Sequence, residues 1–457
     1  MFFTTDGWSN RVQKSFLGLT IQLITKPPEM AMLTLVPALI PYGKSDGESI
    51  SELIKQTFSV RFKSPDFFET RCKGIWVDGA SNMQRMVKKI DSSLGNNCFS
   101  HNVNLALKSW ALTDTFAKNL FGKTRALIGL SRRSSKIGNH PLKERALHAF
   151  CPTRFYIYLL MLISVEQNSK MFKEIRDKHR SNASDQTLHK IAVIYDDIRE
   201  SDLKDLIDLL SPIRRAMEFL GSDRSVAGLA IDVCNGMVDE VKLWTKKFEK
   251  EDVKKNCGER LLACLLQRIS WIFSDSSLKK AAALDVRCVK RLDYLELLEP
   301  EMLRIAGKLP KKSKTVSVAK VGVLQLLRKE EREKSADQHQ TVFLSAAEMV
   351  DEEIAIFRTW ASQSAYFDPL TNFRECFRNL PILCELARQY LGRPMSQLAS
   401  ERLFSITGVI MAPRRCSLKP ETLEKLAVAK ILHKTSESSS SLRDIIGREQ
   451  KVAKHKK

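Results

Sequence analysis

The pattern of apolar and polar positions in residues 1–99 predicts a mixed α/β unit. Three apolar-rich, β-prone runs come first, and a helical period, a fourth strand and a second helical period follow them. In chain order these elements are strands Phe2–Thr5, Phe16–Ile24 and Met32–Ile40, helix Ser49–Phe62, strand Cys72–Val77 and helix Met83–Ile90. Pro37 interrupts the third run and predicts an edge strand or a bulge there.

Helical periodicity dominates from residue 100 to residue 345. The clearest helical runs are Val103–Leu112, Tyr156–Val165, Leu203–Leu220, Val226–Phe248 and Arg260–Phe273. Two polar, basic stretches, Leu309–Lys320 and Glu330–Gln340, predict loop or disorder because they offer too little apolar surface to build a core.

The stretch from Asn379 to His433 predicts three further helices. The first begins at Pro381, the second covers Leu398–Ile410, and the third begins at Pro420. Glu401 and Arg402 stand inside the apolar second helix. Burying an ion without a partner costs several kcal/mol of folding free energy. These charges therefore either lie on the solvent-exposed face of a helical hairpin or have partners. Residues 434–457 predict a basic, Ser-rich tail.

The charge of the chain indicates a polyanionic partner. The formal net charge is +21, with most of the excess in residues 100–345, and DNA or RNA is the simplest partner for it. The alternative is a soluble protein that is merely basic. Two clusters are candidate phosphate contacts: Arg132, Arg133 and Lys136, and Lys311, Lys312 and Lys314.

Composition narrows the class and the compartment. At 457 residues the chain is long enough for two or three domains. The ten cysteines do not show the spacing of a disulfide framework, which is typical of reduced thiols in the cytosol or nucleus. The longest apolar run, Tyr156–Val165, is too short to span a bilayer, and the residues after Met1 do not resemble a signal peptide.

Two aspartates follow predicted strands and are candidate metal ligands. Asp6 follows the first strand, and Asp78 follows the fourth, where Gly79 and Ala80 leave space beside it. Phosphoryl transfer with two metal ions needs carboxylates that converge from separate elements. Each aspartate taken alone is equally typical of an ordinary turn.

The C-terminal stretch resembles the dimerisation region of hAT-superfamily DNA transposases. The similarity follows Pro381–Leu383, Leu386–Ala387, Tyr390–Leu391 and Ala399–Ser405, and continues through Gly408, Arg415 and Leu418. The resemblance implies self-association through this region. The residues that it marks for the contact are Ser400, Glu401, Arg402, Leu403 and Phe404.

The same resemblance extends to the acids and implies a DNA-cleaving site. Asp6–Ser9 resembles the first catalytic segment of these transposases, and Asp78–Asn82 resembles the second. Their third acid precedes the dimerisation region on a helix, where Glu353 fits and Glu352 is one register away. The resemblance therefore implies that Asp6, Asp78 and Glu353 bind two Mg²⁺ or Mn²⁺ ions.

Two more segments are similar to the family. Cys98 and His101 look like its Cys-x-x-His segment, which places His101 near the carboxylates. Residue pattern alone leaves half a zinc site as an alternative, although no second ligand pair stands at suitable spacing. Residues 152–155 resemble the Thr-Arg-Trp segment with Arg154 retained, but Phe155 replaces the Trp that stacks on DNA. The BED zinc finger of the family has no counterpart in this sequence.

We therefore predict a ribonuclease H-like α/β core, interrupted by a large all-α insertion domain and completed by C-terminal dimerisation helices. The first part of the core is residues 1–99, the insertion is 100–345, the last part of the core is 346–378, and the dimerisation region is 379–433. The predicted protein is nuclear, binds DNA, self-associates and cleaves and transfers DNA strands with metal. The alternative is a transposase-derived DNA-binding and dimerisation protein without catalytic activity.

Overall fold

The structure is a computed structural model. It describes residues 1–9, 15–43, 46–63, 66, 70–151, 156–222, 227–317, 339–363, 368–411 and 418–437. The strands are β1 Phe2–Ser9, β2 Ser15–Ile24, β3 Met32–Tyr42, β4 Ile75–Val77, β5 Gly95–Asn97, β6 Ser313–Ser317 and β7 His339–Phe343.

Helices make up most of the rest of the described chain. In order they are α1 Gly47–Phe62, α2 Ser81–Asp91, α3 Phe99–Thr113, α4 Thr115–Ser131, α5 Ser135–Gly138, α6 Ile157–Gln167, α7 Ser169–His179, α8 Gln186–Asp196, α9 Glu200–Leu220, α10 Ala230–Lys247, α11 Asp252–Ser274, α12 Ser276–Ala283, α13 Glu299–Ala306, α14 Ala346–Gln363, α15 Pro369–Cys376, α16 Pro381–Tyr390, α17 Leu398–Ile410 and α18 Pro420–Glu437. Short 3₁₀ turns occupy Ser92–Leu94, Ala227–Leu229 and Val286–Leu298.

The first five strands form one sheet in the order β3-β2-β1-β4-β5. Strands β1, β2 and β3 form an antiparallel meander, and β4 and β5 run parallel to β1. Because β1 and β4 are parallel neighbours, the residues at their carboxyl ends emerge at the same edge of the sheet. Asp78 directly follows β4, whereas Asp6 lies inside β1, three residues before its end.

Both faces of the sheet are covered by helices. On one face, residues such as Leu17, Leu19 and Ile21 share an apolar core with Ile50, Ile54 and Phe58 of α1 and with Met83 and Met86 of α2. On the other face, Phe16 and Leu39 pack with Leu403, Phe404, Leu423 and Ala427 of the two C-terminal helices α17 and α18. The side chains of β2 alternate between these two cores, as the period of a strand requires.

A separate and larger apolar core lies among the helices, from Val103 of α3 to Leu391 after α16. The indole N–H of the fully buried Trp110 donates to the carbonyl of Cys257 at 3.1 Å within this core. Helices α14 and α16 belong to this core, so the C-terminal part of the chain is divided between the helical core and the sheet.

Arg393 joins the sheet to the helical core. It is 4% exposed, and its guanidinium donates to Asp275 at the start of α12 and to Asn96 of β5. It also lies over the ring of Trp76 in β4, 5.1 Å from the centroid. Burial opposes ionisation of Asp275, but the hydrogen bonds and charge of Arg393 outweigh it and lower the pKa of that carboxyl.

The prediction of a mixed α/β chain with dominant helices is confirmed. Each strand and helix predicted for residues 1–99 has a counterpart, and α17 has the predicted bounds. Strand β5, only three residues of Gly and Asn, was not predicted. The loop prediction for Leu309–Lys320 is wrong at Ser313–Ser317, which pairs with β7. The predicted run Val226–Phe248 is shortened to α10, and the predicted tail begins inside α18.

Within the described part of the chain, no helix combines the length and apolar character needed to cross a membrane. Nine of the ten cysteines are described, and all nine are free thiols.

Candidate acidic site

The pairing of β1 with β4 brings Asp6 and Asp78 together. Thr4 of β1 is the neighbour of Trp76 in β4, and continuing this register by two residues sets Asp6 beside Asp78. Neighbouring strands lie about 4.8 Å apart, and the two side chains share one face because each follows its register partner by two residues. The charge of Asp78 accordingly acts on Asp6.

The face of β1 that carries Asp6 is the face covered by α17. The hydroxyl of Thr4 lies 2.8 Å from that of Ser400 in the first turn of α17, and both are buried. The same Thr4 hydroxyl is hydrogen-bonded to Thr20 of β2. A chain of three hydroxyls therefore fixes the start of α17 over the middle of the sheet, one residue before Glu401.

Gly18 explains how α17 comes so close to the sheet. It is the register partner of Asp6 in β2. A Cβ on Gly18 would meet the ring of Phe404 at 2.7 Å and the side chain of Leu403 at 3.1 Å. Glycine at this position is thus required by packing, and the close approach carries Glu401 toward Asp6.

Glu401 is the acid that accompanies Asp6. Burial raises its pKa to about 8, the charge of Asp6 adds to the rise, and Arg402 opposes it. Burial likewise raises the pKa of Asp6 to about 7, Asp78 adds to it, and the amide of Gly7, which donates to Asp6 at 2.8 Å, opposes it. A carboxyl whose pKa is raised by burial and by a neighbouring carboxylate favours binding of a proton or a cation.

The predicted third acid, Glu353, lies elsewhere. Its side chain is 4% exposed, and its two oxygens accept the backbone N–H groups of Ile382 and Leu383, each at 3.0 Å. These are free donors in the first turn of α16, whose N-cap residue Leu380 has no polar side chain. Glu353 therefore caps a helix. Burial raises its pKa, the two backbone N–H groups and Lys312 oppose the rise, and Glu352 adds to it.

Glu352, the alternative third acid, points toward solvent. Its carboxylate forms an ion pair with Lys312 at 2.8 Å, and 38% of its side chain is exposed. Neither Glu353 nor Glu352 therefore joins Asp6 and Asp78.

His101 stands on the other side of Asp78. A Cβ built on Gly79 would lie 3.5 Å from Nε2 of His101, so the imidazole adjoins the residue after Asp78. Burial lowers the pKa of His101, with Lys108 and Arg268 adding to that effect and Asp78 opposing it. The imidazole is therefore neutral at pH 7 and can accept a proton or bind a cation.

Cys98 has a packing role. Its sulfur accepts the backbone N–H of Gln397 at 3.4 Å and lies 3.6 Å from the hydroxyl of Ser396. Burial raises the pKa of the thiol. These contacts hold the segment before α17 against the start of α3, so Cys98 and His101 act on different neighbours. Arg154 and Phe155 lie outside the described residues.

The residues predicted for the dimer contact are mostly used within the chain. Ser400 and Leu403 are fully buried and Phe404 is 8% exposed, and its ring stacks on that of Trp8, with centroids 6.0 Å apart. The guanidinium of Arg402 donates to the carbonyl of Gly221 after α9. A second copy would therefore have to contact other side chains of this region.

Asp6, Asp78 and Glu401 offer carboxylate oxygens, the ligand type that hard divalent cations prefer, from three elements. The structure gives none of them an ion pair with a described Lys or Arg. In the described ranges, no group of three His, Cys, Asp or Glu side chains is placed so that it could hold a metal ion. The described residues therefore show acids that act on one another and no formed metal site.

Sequence reasoning named Asp6, Asp78 and His101 and missed Glu401 as an acid of the site. The available signal was a Glu in an otherwise apolar helix that lacked an obvious partner. Tyr42 was also missed. Its hydroxyl lies 2.8 Å from the position of a Cβ on Gly7, and burial, followed by the charge of Asp6, raises its pKa.

Residues 349–430 match the family model of the hAT family C-terminal dimerisation region. The match runs from α14 into α18 and includes both Glu353 and Glu401. It supports the resemblance at the C-terminal end of the chain. Comparison with curated protein sequences gives no match.

Proposed function

We propose that this chain is an hAT transposase-like protein that binds DNA, self-associates, and cleaves and transfers DNA strands with a divalent metal. The observation that supports the proposal is that Asp78, after β4, acts on the pKa of Asp6 in β1, and that Asp6 acts on the pKa of Glu401 in α17. The family match at residues 349–430 and the net charge of +21 support it independently. A DNA substrate implies a nuclear location in a cell that has a nucleus.

The sheet supports a ribonuclease H-like core. Its antiparallel meander followed by two parallel strands, in the order β3-β2-β1-β4-β5, is the arrangement expected for that fold. The helices from α3 to α13 leave this core after β5, and the chain returns to it through α17 and α18. This path agrees with an insertion between the second and third acids.

The three carboxylates would hold Mg²⁺ or Mn²⁺ at the edge of the sheet. Such a cation supplies a lowered pKa for an attacking water or 3′-hydroxyl and stabilises charge on the leaving oxygen. Asp6 and Asp78 are fixed by strand pairing, and Glu401 is fixed by the contacts of Ser400 and Leu403. Neutral His101 is placed to accept a proton, or to donate a hydrogen bond to a phosphate, beside Asp78.

The test is a strand-cleavage assay on supercoiled DNA with Mg²⁺ or Mn²⁺, in which wild type is compared with Asp6→Asn and Asp78→Asn. Each variant removes a charge without changing side-chain size, and we expect cleavage to fall at least about a hundredfold because a metal ligand is lost. Asp177→Asn, an exposed acid of α7, is the matched control and should cleave like wild type. Wild-type protein that binds DNA but cannot cut it would favour the non-catalytic alternative.

Self-association is proposed through the exposed face of α17 and α18. Val409 is 66% exposed and Leu426 is 42% exposed, and both lie within the match to the dimerisation region. Large exposed apolar side chains on two helices that pack together are typical of an interface. A second copy of this chain is the occupant that the family match indicates.

The double variant Val409→Asp, Leu426→Asp should remain folded and shift the protein to monomer in analytical ultracentrifugation. Leu403→Asp is the contrasting variant, because its fully buried side chain makes unfolding the expected result, by several kcal/mol. A folded double variant with an unchanged sedimentation coefficient would contradict this interface. Circular dichroism distinguishes loss of association from loss of fold.

A further inference from the structure

The end of the sheet opposite the acidic site opens into a cleft lined by cations. The cleft has a volume of about 580 Å³ and lies among the end of β2, residues 70–73, the end of α13 and one side of α16. Five cationic side chains line it against a single carboxylate, Glu385. They are Arg71, Lys73, Arg304, Lys308 and Arg388, and we refer to them as the basic cleft.

Four of these five cations form no ion pair with an acid in the part of the chain that the structure describes. Arg388 is paired with Glu385 and donates to the carbonyl of Ile24. Arg71, Lys73, Arg304 and Lys308 are exposed, and the structure gives none of them an ion pair with a described acid. Like charges held around one concave surface repel each other, and an anion in the cleft relieves that repulsion.

The two basic clusters predicted from sequence are less available for binding an anion. Lys136 is paired with Asp185 at 2.6 Å, and Lys312 with Glu352 at 2.8 Å. The guanidinium of Arg133 donates to the carbonyl of Gly129. The cations of the basic cleft come from three separate segments and therefore leave no contiguous cluster in the sequence.

The cleft continues into a second cavity. Lys73 and Gln389 line both cavities. The second one, of about 430 Å³, adds the polar side chains of Ser93, Asn96 and Ser277 and the ion pair of Asp275 with Arg393. A concave path rather than a single pocket suits a chain of phosphates better than one small anion. Residues Phe2 and Asp6 are four apart in β1, so the path begins about 13 Å from the acids.

We propose that the basic cleft binds the phosphate backbone of DNA at a second site, at the end of the sheet remote from Asp6, Asp78 and Glu401. The binding is independent of strand cleavage, although it deepens the proposed function by placing a DNA contact away from the acids. The contacts are to phosphate, so binding there is insensitive to base sequence and falls with salt.

The experiment is a salt titration of affinity for an arbitrary duplex, comparing full-length wild type with Arg304→Ala, Lys308→Ala. Two lost phosphate contacts should reduce the slope of log K against log salt by about 1.8 and weaken binding by more than roughly tenfold at 0.1 M salt. Lys246→Ala, Lys250→Ala removes the same charge at exposed positions of the helical core and is the matched control. An equal effect of both double variants would overturn the proposal, since it would reflect net charge alone.

Two further measurements separate this site from the acidic one and from a small-anion site. Asp6→Asn should keep the wild-type salt slope even if it abolishes cleavage, so failure of the proposed chemistry does not imply failure of the cleft. Tripolyphosphate should displace the duplex only weakly. Tight tripolyphosphate binding that Arg304→Ala, Lys308→Ala abolishes, with duplex affinity unchanged, would show a small-anion site and overturn DNA binding there.

Discussion

Glu353 on α14 and Glu401 on α17 are both shielded from water, and burial raises the pKa of both, to about 7 and about 8. The groups facing them differ. Glu353 accepts two backbone N–H groups at 3.0 Å, whereas Glu401 faces Asp6 and has no such donors among its described neighbours. A raised pKa therefore does not separate a structural acid from a candidate catalytic one; the partners of the oxygens do.

The largest expected difference between these acids is in strand cleavage. Glu401→Gln should lower cleavage at least about a hundredfold because a charged oxygen ligand is replaced by a neutral amide. Glu353→Gln should stay within about threefold of wild type below its melting temperature. Single-turnover cleavage rates of the two purified variants measure this difference. The reverse ranking would restore Glu353 as the third acid.

Stability should rank the two glutamates in the opposite order. Glu353→Ala leaves two buried N–H groups at the start of α16 without an acceptor, which costs about 1–3 kcal/mol. Glu401→Ala removes an acid that repels Asp6, so its free energy of unfolding should equal or exceed that of wild type. Urea denaturation without divalent metal measures both. A larger loss for Glu401→Ala would show that Glu401 has a structural partner.

The sheet was predictable because its strands carry their own signal. The runs Phe16–Ile24 and Met32–Ile40 are long and β-prone, and Asp78 follows β4 as predicted. The predicted end of the first strand at Thr5 is wrong, because β1 continues through Asp6 to Ser9. The third acid was not predictable in this way, since Glu353 and Glu401 both occur in amphipathic helices. Only the capping of α16 and the packing of α17 on Gly18 separate them, and both contacts join residues far apart in the chain.

The basic cleft shows the same limit. Its cations come from positions 71, 73, 304, 308 and 388, and sequence pattern drew attention instead to the contiguous cluster at Arg132, Arg133 and Lys136. Strand β5 was missed because Gly95, Asn96 and Asn97 have low β propensity. Its pairing with β4 depends on tertiary structure that the local sequence does not encode.

Divalent metal should also distinguish Glu401 from Glu353, through a smaller effect on the melting temperature. We expect Mg²⁺ at millimolar concentration to bind the folded proposed site and to raise the melting temperature by a few degrees through mass action. We expect it also to displace protons from Asp6 and Glu401 near pH 7. Glu401→Gln should lose most of the thermal shift and Glu353→Gln should retain it. Differential scanning fluorimetry with Mg²⁺ and with Na⁺ at equal ionic strength makes the comparison.

The smallest effect is the pH dependence of stability. The pKa of Glu353 is about 7 in the folded chain and near 4.5 when unfolded. Between these values the unfolded state has released a proton that the folded state keeps, so the free energy of unfolding falls as pH rises, and the loss is complete above about pH 7. Glu401 should show the same sign over a range that extends to about pH 8.

Replacing Glu353 or Glu401 by Gln removes the contribution of that acid to the pH dependence of the free energy of unfolding. The difference in urea midpoint between wild type and Glu353→Gln should therefore change between about pH 4.5 and pH 7 and be constant on either side. For Glu401→Gln the change should continue to about pH 8, and millimolar Mg²⁺ should suppress it because a bound cation takes the place of the proton. Suppression at Glu353 as well would contradict the separation of the two sites, since a capping carboxylate has no oxygen left for metal.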